Sequence, residues 1–333
     1  MGPHSAVAQV RRAVRVALFG EASAVERLPG GAVFGEHRSP PGGLGRVMVA
    51  CSGGADSLAL AAATAFLAAR HDFPTGLITV DHGLQPGSAQ QAARVAALGY
   101  ELGFDPVVTV AVEVRGAGGP EGAARTARYA ALAHAAGDAP VLLGHTLDDQ
   151  AESVLLGLGR GSGPRSIAGM LLRDGQWVRP LLGVRRASTV AACAALGLPA
   201  WDDPHNADPA YRRVRLRGEV LPLLEDVLGG GVAEALARTA ALMRDDLDAL
   251  DGWADAIVLP PALPVELIVG LPRAVRSRVL RRWAGQAAAA PLSAERTAAL
   301  DALITNWHGQ GPIQLPGGVW VRRASDTLQA CRF

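Results

Sequence analysis

The densest run of chemistry-bearing residues is Ser52-Gly53-Gly54-Ala55-Asp56-Ser57. Adjacent glycines permit a tight turn and let a backbone approach a ligand closely. A helix starting here would offer free N–H groups and the positive end of its dipole to an anion. Ser52 and Ser57 add hydroxyl donors. Asp56 reads either as a helix cap or as a carboxylate holding a magnesium ion that bridges phosphates. A second run is Gly144-His145-Thr146-Leu147-Asp148-Asp149-Gln150-Ala151-Glu152. If Asp148 opens a helix, it can cap it, and Asp149 and Glu152 lie three apart on one face. Such a pair suits recognition of a cation. His145, just before it, can donate a hydrogen bond or a positive charge to a phosphate in a pentavalent transition state.

Arginine supplies the rest. Arg125 and Arg128 are spaced i, i+3 and can neutralise phosphates, or can form a solvated helix face with Tyr129 in the core. Arg212, Arg213, Arg215 and Arg217 follow Tyr211, a pattern that fits either a surface tracking nucleic-acid phosphates or a solvated basic segment. Arg160–Arg217 holds ten arginines against four carboxylates, which favours the nucleic-acid reading. Arg273, Arg276, Arg278, Arg281 and Arg282 repeat the choice between RNA contact and solvated face, with Val275, Val279 and Trp283 on the opposite stripe.

The elements that must position these residues alternate. Val47–Cys51, Leu77–Val80, Val107–Val114 and Val141–Leu143 read as strands. Val7–Phe19, Asp56–Arg70, Ala89–Leu102, Gly122–Ala136 and Leu147–Leu158 read as helices. That order predicts an α/β fold: a doubly wound, mostly parallel sheet with helices on both faces. Its strand ends carry Ser52-Gly53-Gly54, Asp81-His82 and His145, where such sheets bind ligands. Gly20–Leu44 is rich in glycine and proline and reads as a flexible segment. Beyond Gly229-Gly230-Gly231 the pattern predicts a smaller, mainly helical C-terminal domain (Val232–Ile257, Ala274–Ala284, Ala294–Trp307), closing in a hairpin around Pro316-Gly317-Gly318. The expected divisions are therefore 1–45, 46–228 and 232–333.

Composition narrows the function. The chain has 333 residues, 49% of them hydrophobic, enough for a substantial core. All 32 basic residues are arginine, so neither a Walker A lysine nor a Schiff-base lysine is available. Cys51, Cys193 and Cys331 are scattered, which argues against a disulfide framework, a zinc ribbon or a cysteine-held cluster within the chain. A reducing cytoplasmic location is expected. Leu58–Ala69, the longest apolar stretch, is too short to span a membrane, and Arg11, Arg12 and Arg15 argue against a secretory signal.

Ser52–Ser57 resembles the loop of the PP-loop, or N-type, ATP pyrophosphatases. The whole set resembles one family within them, the tRNA(Ile)-lysidine synthases. The resemblance rests on that loop, Val80–Leu84, Ala124–Tyr129, Gly144–Glu152, Arg179-Pro180-Leu181-Leu182 and Trp201–Asn206 leading into the arginines, from about Arg46 to Glu225. It implies ATP as substrate, Mg2+, free L-lysine and a tRNA(Ile) with a CAU anticodon as partners, no membrane, and a homodimer. The wobble cytidine is adenylated, with pyrophosphate released, and the lysine ε-amino group then displaces AMP to form lysidine. The resemblance assigns ATP binding to Ser52, Gly53, Gly54, Ala55, Asp56 and Ser57, with Asp56 the magnesium contact. It assigns catalysis to Asp56, Arg125, Arg128 and His145, and lysine binding to Asp149 and Glu152. Contact with tRNA falls to Arg213, Arg215, Arg217, Arg276 and Arg281. Thr146 stands where some relatives carry a second histidine, and Val214 where asparagine is frequent. A cytidine thiolase of the same superfamily would need paired cysteines. A non-catalytic nucleotide-binding protein would have no need of three carboxylates facing phosphates.

Overall fold

Alternation along the first strand divides the core in two. In the computed structural model, which describes residues 4–20, 45–83, 87–112, 119–161, 163–203, 208–288 and 291–332, β1 (Val47–Ala50) sends Val47 and Val49 into one apolar cluster and Met48 into another. The same alternation splits Leu77 from Ile78 in β2 (Thr75–Asp81) and Leu142 from Val141 in β4 (Val141–Leu142). A sheet with both faces covered requires this, because side chains one residue apart point to opposite sides.

One face is packed by α1 (Ser5–Phe19), α2 (Ala55–His71) and α7 (Arg186–Leu196). Val7, Val10 and Val14 of α1, at helical spacing, form the stripe that enters this cluster. The alanine-rich α2 is buried over most of its length, with Leu58, Leu60 and Leu67 in the interior. The other face is covered by α4 (Gly119–Ala136), whose Leu132 packs with Met48, Ile78 and Val141, flanked by Tyr129.

The sheet order is β3-β2-β1-β4-β6-β5, with β3 at Val107–Ala111, β5 at Arg173–Asp174 and β6 at Trp177–Val178. Every neighbouring pair is parallel except β5 with β6. The doubly wound, mostly parallel architecture expected from the sequence is therefore present. The chain runs outward from β1 to β2 and β3, then returns to β4 on the other side of β1. That reversal places the topological switch point at the carboxyl ends of β1 and β4, where a crevice opens. Pairs β5 and β6, two residues each, were not legible in the sequence, and neither was α7.

Contacts divide the chain into two compact units, residues 1–240 and 241–333. The division falls inside α10 (Val232–Asp255). The second unit combines α12 (Arg273–Ala287) and α13 (Ala294–Thr305) with an antiparallel sheet. Its order is β7-β10-β9-β8, from Leu263–Pro264, Thr327–Arg332, Val319–Ala324 and Ile313–Leu315. The hairpin of β8 and β9 turns at Pro316-Gly317-Gly318, where both glycines adopt positive φ. Val275, Val279, Leu280 and Trp283 of α12 pack on Leu300 and Leu303 of α13 and on Val319, Val321 and Leu328 of the sheet. Helical periodicity alone left β7 and β10 unseen.

That packing corrects one assignment. Arg276, expected to face tRNA, is turned inward: its Nε lies 2.5 Å from Asp301 Oδ1 and its Nη1 donates to the Leu271 carbonyl at 2.8 Å. The side chain is 10% exposed. Its position on the helix places it beside the apolar stripe rather than opposite it. Arg276→Ala is expected to lower stability by about 1.5–3 kcal/mol, because the half-buried Asp301 would lose its charge-assisted hydrogen bonds. Chemical denaturation of the full chain measures this, and an unchanged midpoint would return Arg276 to the exposed set. Arg278 and Arg282 also engage acids, Asp251 and Asp255, at 2.6 and 2.8 Å. Arg281 is exposed, its Nε donating to Thr297 Oγ1 at 3.0 Å.

Most of Gly20–Leu44, together with Leu84 and Pro204–Ala207, lies outside the described residues.

Candidate active site

The loop between β1 and α2 is braced from within. Ser57 Oγ donates to the Gly54 carbonyl at 2.9 Å and accepts from the Ser52 amide at 3.1 Å. Ser52 Oγ lies 3.3 Å from the same hydroxyl. Gly53 takes φ +87°, and a Cβ there would come within 2.8 Å of Val95 Cγ2. Only glycine fits that backbone and that space. The Gly53 carbonyl accepts from the Trp201 amide at 2.9 Å, which ties the loop to a distant segment. Helix α2 begins after Gly54 with no side-chain cap, leaving its first-turn N–H groups without an internal acceptor.

Strand β4 delivers the second constellation. A Cβ on Gly144 would sit 3.1 Å from the backbone of Asp56 and Ser57, so glycine is what lets the two strand ends approach. Helix α5 (Leu147–Arg160) starts at Leu147 as expected, but is capped by Thr146 rather than Asp148. Asp149 closes the capping box: its Oδ2 accepts from the Thr146 amide at 2.7 Å and the Thr146 hydroxyl at 2.8 Å. Asp148 instead accepts from the Arg186 amide at 2.7 Å.

The carboxylates converge on a residue that the sequence did not single out. Arg186, in the first turn of α7, donates through Nε to Asp56 Oδ2 at 3.0 Å and through Nη2 to Asp149 Oδ1 at 2.7 Å. Its Nη1 lies 3.9 Å from Glu152 Oε1. Thr189, one turn later, donates to Asp56 Oδ1. Arg217, from the π-helical turn Leu216–Val220, donates to Glu152 Oε1 at 2.9 Å and approaches Asp149 Oδ1 at 3.5 Å. Arg213, in α8 (Arg212–Arg215), is 3.8 Å from Glu152 Oε2. Arg213 and Arg217, expected to track RNA phosphates, are thus turned toward the acids. Arg215 alone of the three is open to solvent, paired with Glu219 across one helical turn. The alternation of this run across helical backbone explains the split, since neighbouring arginines cannot share a face.

Burial pushes the carboxyls of Asp56 and Glu152 up from their ordinary values, against the pull of Arg186 and Arg217. Burial acts on Asp149 in the same sense, but Arg186, the Thr146 amide and His145 outweigh it, and its carboxyl ends lower than usual. Glu152 is wholly buried, and its Oε2 has no hydrogen-bond partner.

His145 lines the cleft with its Nδ1 unpartnered. Burial lowers its pKa to about 3, opposed by Asp149 and reinforced by Arg128, Arg179 and Arg125. The ring is therefore neutral near pH 7, with one N–H to donate and no positive charge to offer. Between pH 6.5 and about 3 the unfolded chain binds a proton that the folded chain refuses. Stability from this group is full above the unfolded value and falls as pH drops through that window. His145→Gln should therefore lose less stability than the parent between pH 7.5 and 5.5 in urea denaturation. Equal losses would show that His145 is protonated in the fold.

Arg128 lines the cleft and keeps its Nε buried without a partner. Arg125 is exposed, donates to the Tyr129 hydroxyl at 3.2 Å, and does not line the cleft. The two arginines are thus not equivalent. The cleft that Arg128 and His145 line measures about 810 Å3 and is also lined by Ile78, Val80, His82 and Trp201. An apolar slot beside an uncapped helix start and a cluster of arginines and acids is suited to a nucleotide and a second, cationic substrate. The structure brings together Ser52–Ser57, Arg128, His145, Asp149, Glu152, Arg213 and Arg217. Arg125 and Arg215 do not line the cleft, and Arg276 and Arg281 belong to the second unit. Sequence reasoning missed Arg186 and Thr189. The only available signal was their place just after Arg179-Pro180-Leu181-Leu182.

Comparison with known proteins agrees with this geometry. The PP-loop domain family matches residues 36–224, and the TilS substrate binding domain family matches residues 263–329. The chain is 53% identical to the tRNA(Ile)-lysidine synthase of Thermobifida fusca (strain YX), over 97% of this chain and 96% of that one. It is also 53% identical to the enzyme of that name from Streptomyces coelicolor, over 98% and 99%. Among solved structures it resembles the U34-tRNA thiolase NcsA from Methanococcus maripaludis with its 4Fe-4S cluster. There the TM-score is 0.56 at 17% identity, covering 72% of this chain and 79% of that one, a likeness of fold.

Proposed function

The chain belongs to the tRNA(Ile)-lysidine synthase family, and from that premise we propose that it ligates free L-lysine to C2 of the wobble cytidine of a tRNA(Ile) with a CAU anticodon. It is an ATP-dependent ligase that modifies tRNA, built on a PP-loop ATP-binding domain. The observation that carries the finer reading is the meeting, in one cleft, of the uncapped α2 start with Asp56 and Asp149 from the first turns of α2 and α5, while Glu152 in the next turn of α5 lies within ion-pair reach of the same Arg186.

In the first step the cytosine O2 attacks the α-phosphorus of ATP. The bond to the bridging oxygen breaks and pyrophosphate leaves. The amides at the start of α2, with Ser52 and Ser57, cradle the departing phosphates. Arg128 offsets the charge that builds on the α-phosphate, and neutral His145 donates a hydrogen bond there. Arg125, open to solvent, reaches that charge only through a change of rotamer. In the second step the lysine ε-amino group attacks C2, AMP leaves with the C–O bond electrons, and the amine gives up a proton. Asp149 and Glu152 hold the ammonium groups of the incoming lysine. The Oε2 of Glu152, which faces Arg213 at 3.8 Å but accepts no hydrogen bond, supports this, since an ammonium donor would complete it.

Magnesium fits the same loop. A Mg2+ ion bound with phosphates needs only one or two protein carboxylates, and Asp56 offers one in the first turn of α2. Bound there, the ion would neutralise charge on the pyrophosphate. For tRNA, exposed Arg215 and Arg281 are the phosphate contacts that we propose. A homodimer remains part of the proposal from the family resemblance. No helix among the described residues is long and apolar enough to cross a membrane.

The fold neighbour's thiolation chemistry is a second reading in the same superfamily. Cys51 and Cys193 are buried beneath the loop, bonded to Ser57 Oγ and the Ala55 carbonyl, which does not suit them to carry sulfur into the cleft. One assay separates the readings: purified protein, ATP, magnesium, radiolabelled lysine and tRNA with a CAU anticodon. Label entering tRNA with lysine-dependent AMP release is the expected result. ATP bound but intact, with no incorporation, would overturn it in favour of a binding protein.

A further inference from the structure

We infer that Arg186 is a positioning residue that occupies the lysine-binding acids until nucleotide draws it away, so that ATP and lysine bind in a coupled order. The inference rests on the lysine-site reading above. With the Arg186 guanidinium seated between Asp56, Asp149 and Glu152, the acids are closed to an outside cation. Glu152 is wholly buried and Asp149 nearly so. Neither can meet an ammonium group while Arg186 and Arg217 keep their present contacts.

Charge points the same way. Three carboxylates, Asp56, Asp149 and Glu152, face three guanidiniums, those of Arg186, Arg213 and Arg217. The cluster is balanced and offers an incoming ammonium no net attraction. Remove one guanidinium and the remainder carries a single negative charge, enough for one ammonium.

Arg186 is the one placed to leave. Its Nε bonds Asp56, a first-turn residue of the helix whose open N–H groups would receive the phosphates. A triphosphate there presents several negative charges within reach of a guanidinium whose planar fork suits phosphate as well as carboxylate. The backbone of Arg186 need not move, because its amide stays anchored on Asp148 at 2.7 Å. Arg217 is different, since its contacts are with Glu152 at 2.9 Å and Asp149 at 3.5 Å and none ties it to Asp56 in the loop. The device would keep lysine from lodging before the nucleotide that must activate its target.

Calorimetry with L-lysine, in magnesium buffer, with and without a non-hydrolysable ATP analogue, tests this on the full chain. The expected result is lysine binding about 30-fold tighter with the analogue, within the usual range of coupling between sites, and analogue binding tightened equally by lysine. Arg186→Gln should bring the ratio to within about threefold by strengthening nucleotide-free lysine binding. A merely structural role would weaken it instead. Arg186→Lys, which keeps the charge without the fork, should fall between the two and serves if the Gln variant does not fold. Equal lysine affinity with and without analogue in the parent would overturn the inference while leaving the lysine site intact. Binding undetectable in both would instead sink the lysine-site reading itself. A ratio unchanged in Arg186→Gln would assign the coupling to another group.

Discussion

Asp56→Asn is expected to lower the rate of AMP formation by about 10³-fold, at the upper end of what a single charge-stabilising group contributes. The position decides this. Asp56 stands in the first turn of α2, where helix dipole and N–H groups favour phosphate, so a carboxylate there repels the ligand unless a cation lies between them. Arg186 balances that charge until phosphates draw the guanidinium away, and the charge is then a cost unless it holds magnesium against them. Asparagine keeps the shape and one acceptor for Thr189, but not the charge. Arg186 retains its 2.7 Å bond to Asp149, so the fold should survive. Single-turnover release of pyrophosphate at saturating ATP and tRNA measures the step. Analogue binding shows whether the loss lies in chemistry or in affinity. Turnover within twofold of the parent would remove Asp56 from the reacting phosphates.

What the sequence disclosed followed from periodicity and from glycine. Strands β1 to β3 and the helices between them were legible because each has a single dominant repeat, and the two-residue β4 because the apolar Val141–Leu143 falls between two helical runs. The loop was legible because Ser52–Ser57 concentrates small and polar residues at a strand end. Arg186 was not legible. One arginine among ten between Arg160 and Arg217 carries no local mark, and its partner Asp56 is 130 positions away in the chain. The fate of Arg276 was hidden for a related reason: Asp301 sits on another helix, so a run of arginines without nearby acids looked solvated. The arginine pattern after Tyr211, the charge balance and the family resemblance all point Arg213 and Arg217 toward RNA, and only tertiary structure shows Arg213 facing Glu152 and Arg217 facing Asp149 and Glu152. Short pairs such as β5 with β6 were missed because two residues have no periodicity to read.

Asp149→Asn should raise the KM for lysine by roughly 100-fold, or about 2.7 kcal/mol, while changing that for ATP by less than about threefold. The contrast arises because Asp149 performs two jobs with two oxygens. Oδ2 closes the cap of α5 with Thr146, and Oδ1 faces Arg186 and Arg217. Asparagine can keep the cap through its carbonyl oxygen, so the helix remains in place. Its amide would then present donors to two guanidiniums and to any incoming ammonium, replacing attraction with repulsion. Cost to the ATP half of the site is smaller, because Asp56 still holds Arg186, and the hydrogen bonds of the Asp149 carboxylate run to Thr146 and Arg186 rather than to Ser52–Ser57. A purely structural role predicts something else: a weakened cap would loosen α5 and, through Gly144, the close approach to Asp56 and Ser57, so that lysine and ATP suffered together. Lysine-dependent AMP release, titrated separately in each substrate, tells these apart. Equal losses in the two KM values would make Asp149 a cap and nothing more.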